Sequence, residues 1–126
     1  MSLFKIVESV NDGTYGARID DASIVYGGLR VRIMLVPFDL ETGEEYAEIQ
    51  DLINVTGGEY SKSAYFSNAV GEIDEAHELI GKNVEIDVKV NQSGERMYHN
   101  VVAYRPYTQK EFISISDEEL EQLPFN

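Results

Sequence analysis

The stretch 83–104, NVEIDVKVNQSGERMYHNVVAY, constrains the fold of this chain most. Val84, Ile86, Val88 and Val90 recur at every second position, the period at which strand side chains fall on one face. NQSGE supplies a turn around Gly94, and RMYHNVVAY returns as a second β-rich run, so the stretch reads as an antiparallel hairpin. Arg105, Pro106 and Tyr107 end the pattern, because Pro106 has no N–H to give to a ladder.

The same period appears upstream. In LRVRIMLVPF, Leu29, Val31, Ile33 and Leu35 share one face, while Arg30, Arg32 and Met34 share the other. YGARIDDASIVY alternates through Tyr15, Ala17 and Ile19. It changes phase at Asp20 and Asp21 and resumes with Ala22, Ile24 and Tyr26, as a bulged strand does. After turn chemistry around Gly43, YAEIQDLINV sets Ala47, Ile49, Ile53 and Val55 inward and Tyr46, Glu48, Gln50, Leu52 and Asn54 outward. TGGEYSKSAYFSNAVG has no clean period and reads as a loop with at most a short helical turn. EIDEAHELIG places Ile73, Ala76, Leu79 and Ile80 at helical spacing and stops at Gly81, which predicts the chain's short helix.

Three strands, a helix and two strands give an all-β class with one short helix. The order is that of a five-stranded Greek-key OB-fold barrel, whose strands two and three commonly bind oligonucleotides or oligosaccharides. A pleckstrin-like or SH3-like barrel fits the helix position less well, and a β-sandwich accommodates the same strands. The predicted organisation is an OB-fold domain over 1–107 and an acidic, flexible C-terminal tail over 108–126, with Leu120, Leu123 and Phe125 folding back on the barrel as the alternative.

A chain of 126 residues with 43% hydrophobic residues suits one domain with its own core. No apolar run approaches the roughly 20 residues of a spanning helix, and MSLFKIVESV does not look like a secretory signal. The absence of cysteine removes disulfides, thiolate zinc sites and cysteine nucleophiles, which suits the cytoplasm, or a host cell's cytoplasm if the chain is phage-encoded. The net charge of -13 argues against broad affinity for phosphate, so any nucleic-acid surface has to be a local basic patch on an acidic body.

DEAH at Asp74–His77 spells a helicase signature, but without a phosphate-cradling G-x-x-x-x-G-K-[ST] loop it reads as the polar face of a helix. His77 and His99 sit on different elements with no companion ligands, and no carboxylates are set apart by spacing. The chain is therefore expected to have no catalytic residues, metal or cofactor. The outward set on strands two and three is more informative. Arg30, Arg32, Met34 and Tyr46 offer guanidiniums for phosphates and apolar or flat surfaces for bases. Lys62, Tyr65 and Phe66 in the loop, and Lys89, Arg96, Tyr98 and Tyr104 around the hairpin, are secondary candidates. Core burial is the alternative for each aromatic.

The tail, SDEELEQLPFN from Ser116, carries Asp117, Glu118, Glu119 and Glu121 ahead of Leu123, Pro124 and Phe125. A barrel followed by such a peptide resembles bacterial single-stranded DNA-binding proteins, whose C-terminal tips recruit replication and repair partners. The barrel motifs GARIDDASIVYGGLRVRIMLVPFD and LIGKNVEIDVKVNQSGERMYHNVVAYRPY look more like the small single-stranded DNA-binding proteins of bacteriophages. The resemblance implies sequence-independent binding and protection of single-stranded DNA in phage replication or recombination. It also implies partner capture by residues 117–125 and homo-oligomers. One departure is that Asn126 follows Phe125, where the bacterial peptides end on phenylalanine. The competing expectation is an acidic protein-binding module, structural or host-inhibitory, that does not bind DNA.

Overall fold

A computed structural model describes residues 3–4 and 6–108, and the predicted tail calls on 117–125 lie outside the described residues. Five strands are present: β1 (Gly13–Val25), β2 (Arg30–Phe38), β3 (Ile49–Asn54), β4 (Asn83–Ser93) and β5 (Arg96–Pro106). They form one antiparallel sheet in the order β3-β2-β1-β4-β5. The helix α1 (Lys62–Val70) and a 3-10 turn (Ala76–Leu79) stand between β3 and β4 in the chain. The all-β class follows.

β1 is the strand on which the sheet bends. Its first half pairs with β4, and from Gly16 onward it also pairs with β2, with a register shift between Ile19 and Asp21 where the sequence changes phase. The extra residue lets Ala17, Ile19 and Ala22 share the inner face across the bulge. Pro37 ends β2 without loss to the β1 ladder. Its carbonyl accepts from Tyr46 N at 2.8 Å, so the missing N–H would point toward Tyr46 as well. Gly16 is required by close approach, because a Cβ there would stand 2.3 Å from the Phe38 ring, which also packs edge-on against Tyr107.

The inner face gathers Ile33, Leu35, Ile49, Ile53, Val84, Ile86, Val88, Val101 and Tyr104, closed by Leu79 and by Phe66 and Val70 of α1. On β5 a second bulge sets Val88 opposite Val101 and Asp87 opposite Ala103. Val101 and Tyr104 therefore both point inward, and Val102 is turned out.

Among the described residues no ladder joins β3 to β5, so the sheet is not closed into a barrel. Side chains bridge the two edges instead. Tyr104 Oη on β5 donates to Asp51 Oδ2 on β3 at 2.6 Å. Lys62 Nζ, in the first turn of α1, lies 3.0 Å from each Asp51 oxygen and donates to the Val101 carbonyl at 3.3 Å. Burial, and then the neighbouring Asp51 carboxylate, push the Tyr104 hydroxyl well above its ordinary pKa, so it remains a donor.

Two helical expectations are corrected. The segment read as a loop contains α1, with Ser61 Oγ accepting from Ala64 N and Gly71 closing the C-terminus at φ 84°. The predicted helix over 72–81 is a single 3-10 turn. Glu78 Oε2 draws in the N–H groups of Asp74 and Glu75, while Gly81 N and Lys82 O are spent on Ile19, so no further helical turn forms. The inner assignments of Leu29 and Val55 also fail. Both lie just outside β2 and β3 and are exposed, as are Ile24 and Tyr26 at the end of the β1–β2 ribbon.

Gly16→Ala is expected to lower stability by about 1–3 kcal/mol in urea unfolding, as overpacking does, whereas Gly58→Ala, with open space around it, stays within about 0.5 kcal/mol. Tyr104→Phe, which keeps the ring and deletes the bond to a charged acceptor, is expected to cost about 1.5–3 kcal/mol in the same measurement.

Candidate functional site

The register of β1, β2 and β3 sets the outer face in rows, because directly paired residues of an antiparallel ladder share a face. Val25, Arg30 and Asn54 form one row, Ser23, Arg32 and Leu52 the next, and Asp21, Met34 and Gln50 the third. Arg30 and Arg32 are both exposed. The Arg30 guanidinium lies 5.7 Å from the centre of the Tyr26 ring, and Arg32 Nη2 donates to Ser23 Oγ at 3.3 Å.

Neither arginine forms an ion pair with a described carboxylate, and the same holds for Lys82, Lys89 and Arg96, whereas Arg18 and Arg105 are paired. Arg18 lies 2.6 Å from Glu45 and 3.6 Å from Asp20, and the Glu45 bond raises its pKa first. Arg105 reaches Glu85 at 2.6 Å and Asp87 at 2.7 Å, and those two bonds hold it above its ordinary pKa. Arg18 on β1 and Arg105 on β5 are thus matched by carboxylates, and the two arginines of β2 are not.

The remaining predicted residues divide. Met34 sits in the outer row beside the arginines, half-buried. Lys89, Arg96 and Tyr98 share the outer face of the hairpin, since Lys89 pairs with Asn100, Asn91 with Tyr98 and Ser93 with Arg96. Tyr46 is not brought to the arginine rows. β3 begins only at Ile49, so strand parity does not reach residue 46. Its ring packs edge-on at 5.3 Å from Tyr15, and burial, then Asp39, raise its hydroxyl pKa. Lys62 is engaged in the seam described above. Phe66 is 6% exposed and lies 4.9 Å from Tyr104, edge to face, in the core. Tyr65, one residue earlier on α1, points outward at 46% exposure.

Sequence reasoning missed Tyr26. It takes a left-handed conformation, φ 53°, ahead of Gly27 and Gly28 at φ 64° and 91°, and stands 64% exposed at the end of the arginine rows. A non-glycine residue held there carries a backbone cost that clusters at functional positions. The YGG triplet between two alternating runs was the available signal, because two glycines permit the tight reversal that throws the tyrosine outward.

The two histidines stay apart. His77 Nδ1 lies 3.2 Å from Glu75 in the exposed 3-10 turn, and His99 pairs with Val90 on β5. No helix among the described residues is long and apolar enough to cross a membrane. Chemically, the outer face of β2 offers two unmatched guanidiniums beside a tyrosine ring, a methionine and a leucine, a combination that suits an anionic chain carrying flat groups. No protein-family model and no curated protein matches the chain.

The Arg105 clamp has a measurable acid signature. The Arg105 bonds, with a contribution from Thr14, hold the Asp87 carboxyl at about 2, below its ordinary 3.8. Folding therefore favours the ionised form. The stabilisation is complete above about pH 4 and is lost as pH falls through about 2. With the two side chains 42% and 34% exposed, it amounts to at most about 1 kcal/mol. Asp87→Asn is expected to be less stable than the parent at pH 7 and to converge with it near pH 2, as followed by urea unfolding across that range.

Proposed function

We propose that the protein is a non-enzymatic single-stranded DNA-binding protein of OB-fold type, acting in phage replication or recombination. The observation that carries the proposal is the pair of exposed, unmatched guanidiniums of Arg30 and Arg32 on β2 of a chain with net charge -13. Arg18, Lys62 and Arg105 take carboxylates; Arg30 and Arg32, like Lys82, Lys89 and Arg96, do not, and these two stand side by side on one face of β2. Strand order supports the fold assignment. β3-β2-β1-β4-β5, with a helix after β3, is the order expected of a Greek-key OB arrangement, and side chains link β3 to β5 where no ladder does among the described residues.

On this reading Arg30 and Arg32 take phosphates, and Tyr26, Met34 and Leu52 meet bases. Lys89, Arg96 and Tyr98 extend the surface along the hairpin. Binding is sequence-tolerant, because stacking and phosphate contacts do not read base edges. The acidic peptide with Asp117, Glu118, Glu119 and Glu121 ahead of Leu123, Pro124 and Phe125 recruits protein partners, and homo-oligomers lengthen the track. A second reading is favoured by the net charge alone, namely an acidic module that docks on a basic protein and leaves DNA unbound.

Fluorescence anisotropy with labelled oligothymidine at low and moderate salt separates the two. Tight binding at low salt that weakens as salt rises, with duplex bound less well, is the expected result. No binding at low salt would favour the acidic module. The double change Arg30→Ala, Arg32→Ala is expected to weaken binding and to reduce the slope of log K against log salt by roughly 1.4, for two phosphate contacts on a single strand. An unchanged slope would move the site off β2.

A further inference from the structure

We infer that the bound strand does not stop at β3 but runs over the seam into a hollow between α1 and β5, where Tyr60 and Tyr65 stack a base. The inference rests on the proposed outer-face site and extends it. The hollow measures about 330 Å3 and is lined chiefly by Tyr60, Lys62, Tyr65, Val102, Tyr104 and Arg105. That volume is at the small end of ligand sites and suits a single planar group.

Position is the first support. Lys62 at the hollow's floor holds Asp51, whose chain neighbours Gln50 and Leu52 pair with Met34 and Arg32. Asn54, which pairs with Arg30, gives its carbonyl to Ser63 Oγ of α1 at 2.6 Å, so β3 alone lies between the arginine rows and the helix that borders the hollow. A strand crossing β2 and β3 transversely arrives at α1.

The wall chemistry is the second support. Tyr60 is 83% exposed and Tyr65 46%, and neither side chain makes a hydrogen bond or ring contact among the described residues. Val102, turned out by the β5 bulge and 51% exposed, adds a third apolar surface. The frame under the tyrosines is fixed. Ser61 Oγ donates to the Gly58 carbonyl at 2.7 Å and accepts from Ala64 N, and Ser63 Oγ donates to the Asn54 carbonyl at 2.6 Å, tying α1 to the end of β3. Rings on such a frame lose little freedom on binding.

Charge decides which part of a nucleotide the hollow takes. Lys62 is matched by Asp51, and Arg105 by Glu85 and Asp87. The hollow therefore offers flat faces over cations that are already engaged by carboxylates, which suits an uncharged base rather than a phosphate. Phosphates are left to the unmatched arginines of β2.

The sequence contains no tryptophan, so Tyr60→Trp installs a single emission reporter in the hollow. Oligothymidine of roughly 16 nucleotides, the upper site size of one OB fold, is expected to quench it. Tyr60→Ala with Tyr65→Ala is expected to weaken that oligonucleotide roughly 5- to 150-fold, the equivalent of one stacked base, while an oligonucleotide of roughly 4 nucleotides binds within about twofold of the parent. Tyr65→Phe, which keeps the ring, retains affinity. Parental affinity for the long oligonucleotide in the double variant, with no quenching in Tyr60→Trp, overturns the inference and leaves the outer-face site standing. Failure of the parent protein to bind either oligonucleotide overturns both. Quenching by a proline-rich peptide and not by DNA assigns the hollow to a protein ligand and overturns it as well. If the double variant melts at a lower temperature, the tryptophan reporter alone decides.

Discussion

The carboxylate of Asp51 joins two sheet edges that no backbone ladder connects. It stands on the inner side of β3, 13% exposed at its side chain, and takes a hydrogen bond from Tyr104 across the sheet and an ion pair from the first turn of α1. An acid in that position has a large desolvation cost unless its oxygens are filled, and here both are. The seam recruits Lys62 away from solvent and orients α1 so that Phe66 and Val70 complete the core while Tyr65 faces out. It also covers edges that would otherwise present unpaired strand groups.

How far the sequence could be read follows from the range of the interactions involved. Period-two alternation is local, and the strands of β2, β4 and the hairpin were visible in Ile33 and Leu35 and in Val84, Ile86 and Val88. The β1 bulge was legible too, because a phase change is itself a local pattern. Parity failed where a ribbon outruns its core: Ile24, Leu29 and Val55 have the spacing of inner residues and nothing to be buried against. The seam was illegible, since Asp51 finds its partners 11 and 53 residues away and alternation gives no hint that an acid belongs inside.

At the site, legibility depended on the element. Arg30, Arg32 and Met34 lie in a strand whose period was clear, and their outward placement followed from it. Phe66 and Tyr65 could not be told apart while their segment read as a loop. On a helix, residue 66 falls on the same side as Val70, and residue 65 turns away from it. Tyr46 precedes the start of β3 and Tyr26 stands in a turn, so period-two alternation carries no information about either side chain.

The acidity of the chain and a phosphate-binding face are compatible once distance is considered. Electrostatic attraction at a contact acts over a few ångströms, whereas repulsion from the rest of the body acts through solvent and is screened over about 8–10 Å at physiological salt. Arg105 offsets half the charge of Glu85 and Asp87, and Arg18 half that of Glu45 and Asp20, which weakens two clusters of carboxylates without removing them. The unspent acids repel a nucleic-acid chain most when salt is low, and the attraction of Arg30 and Arg32 is also strongest there. The two dependences oppose each other. On the proposed reading, such a face would hold DNA with less sensitivity to salt than its phosphate contacts alone would give, much of its affinity coming from flat surfaces, the role proposed for Tyr26, Tyr60 and Tyr65.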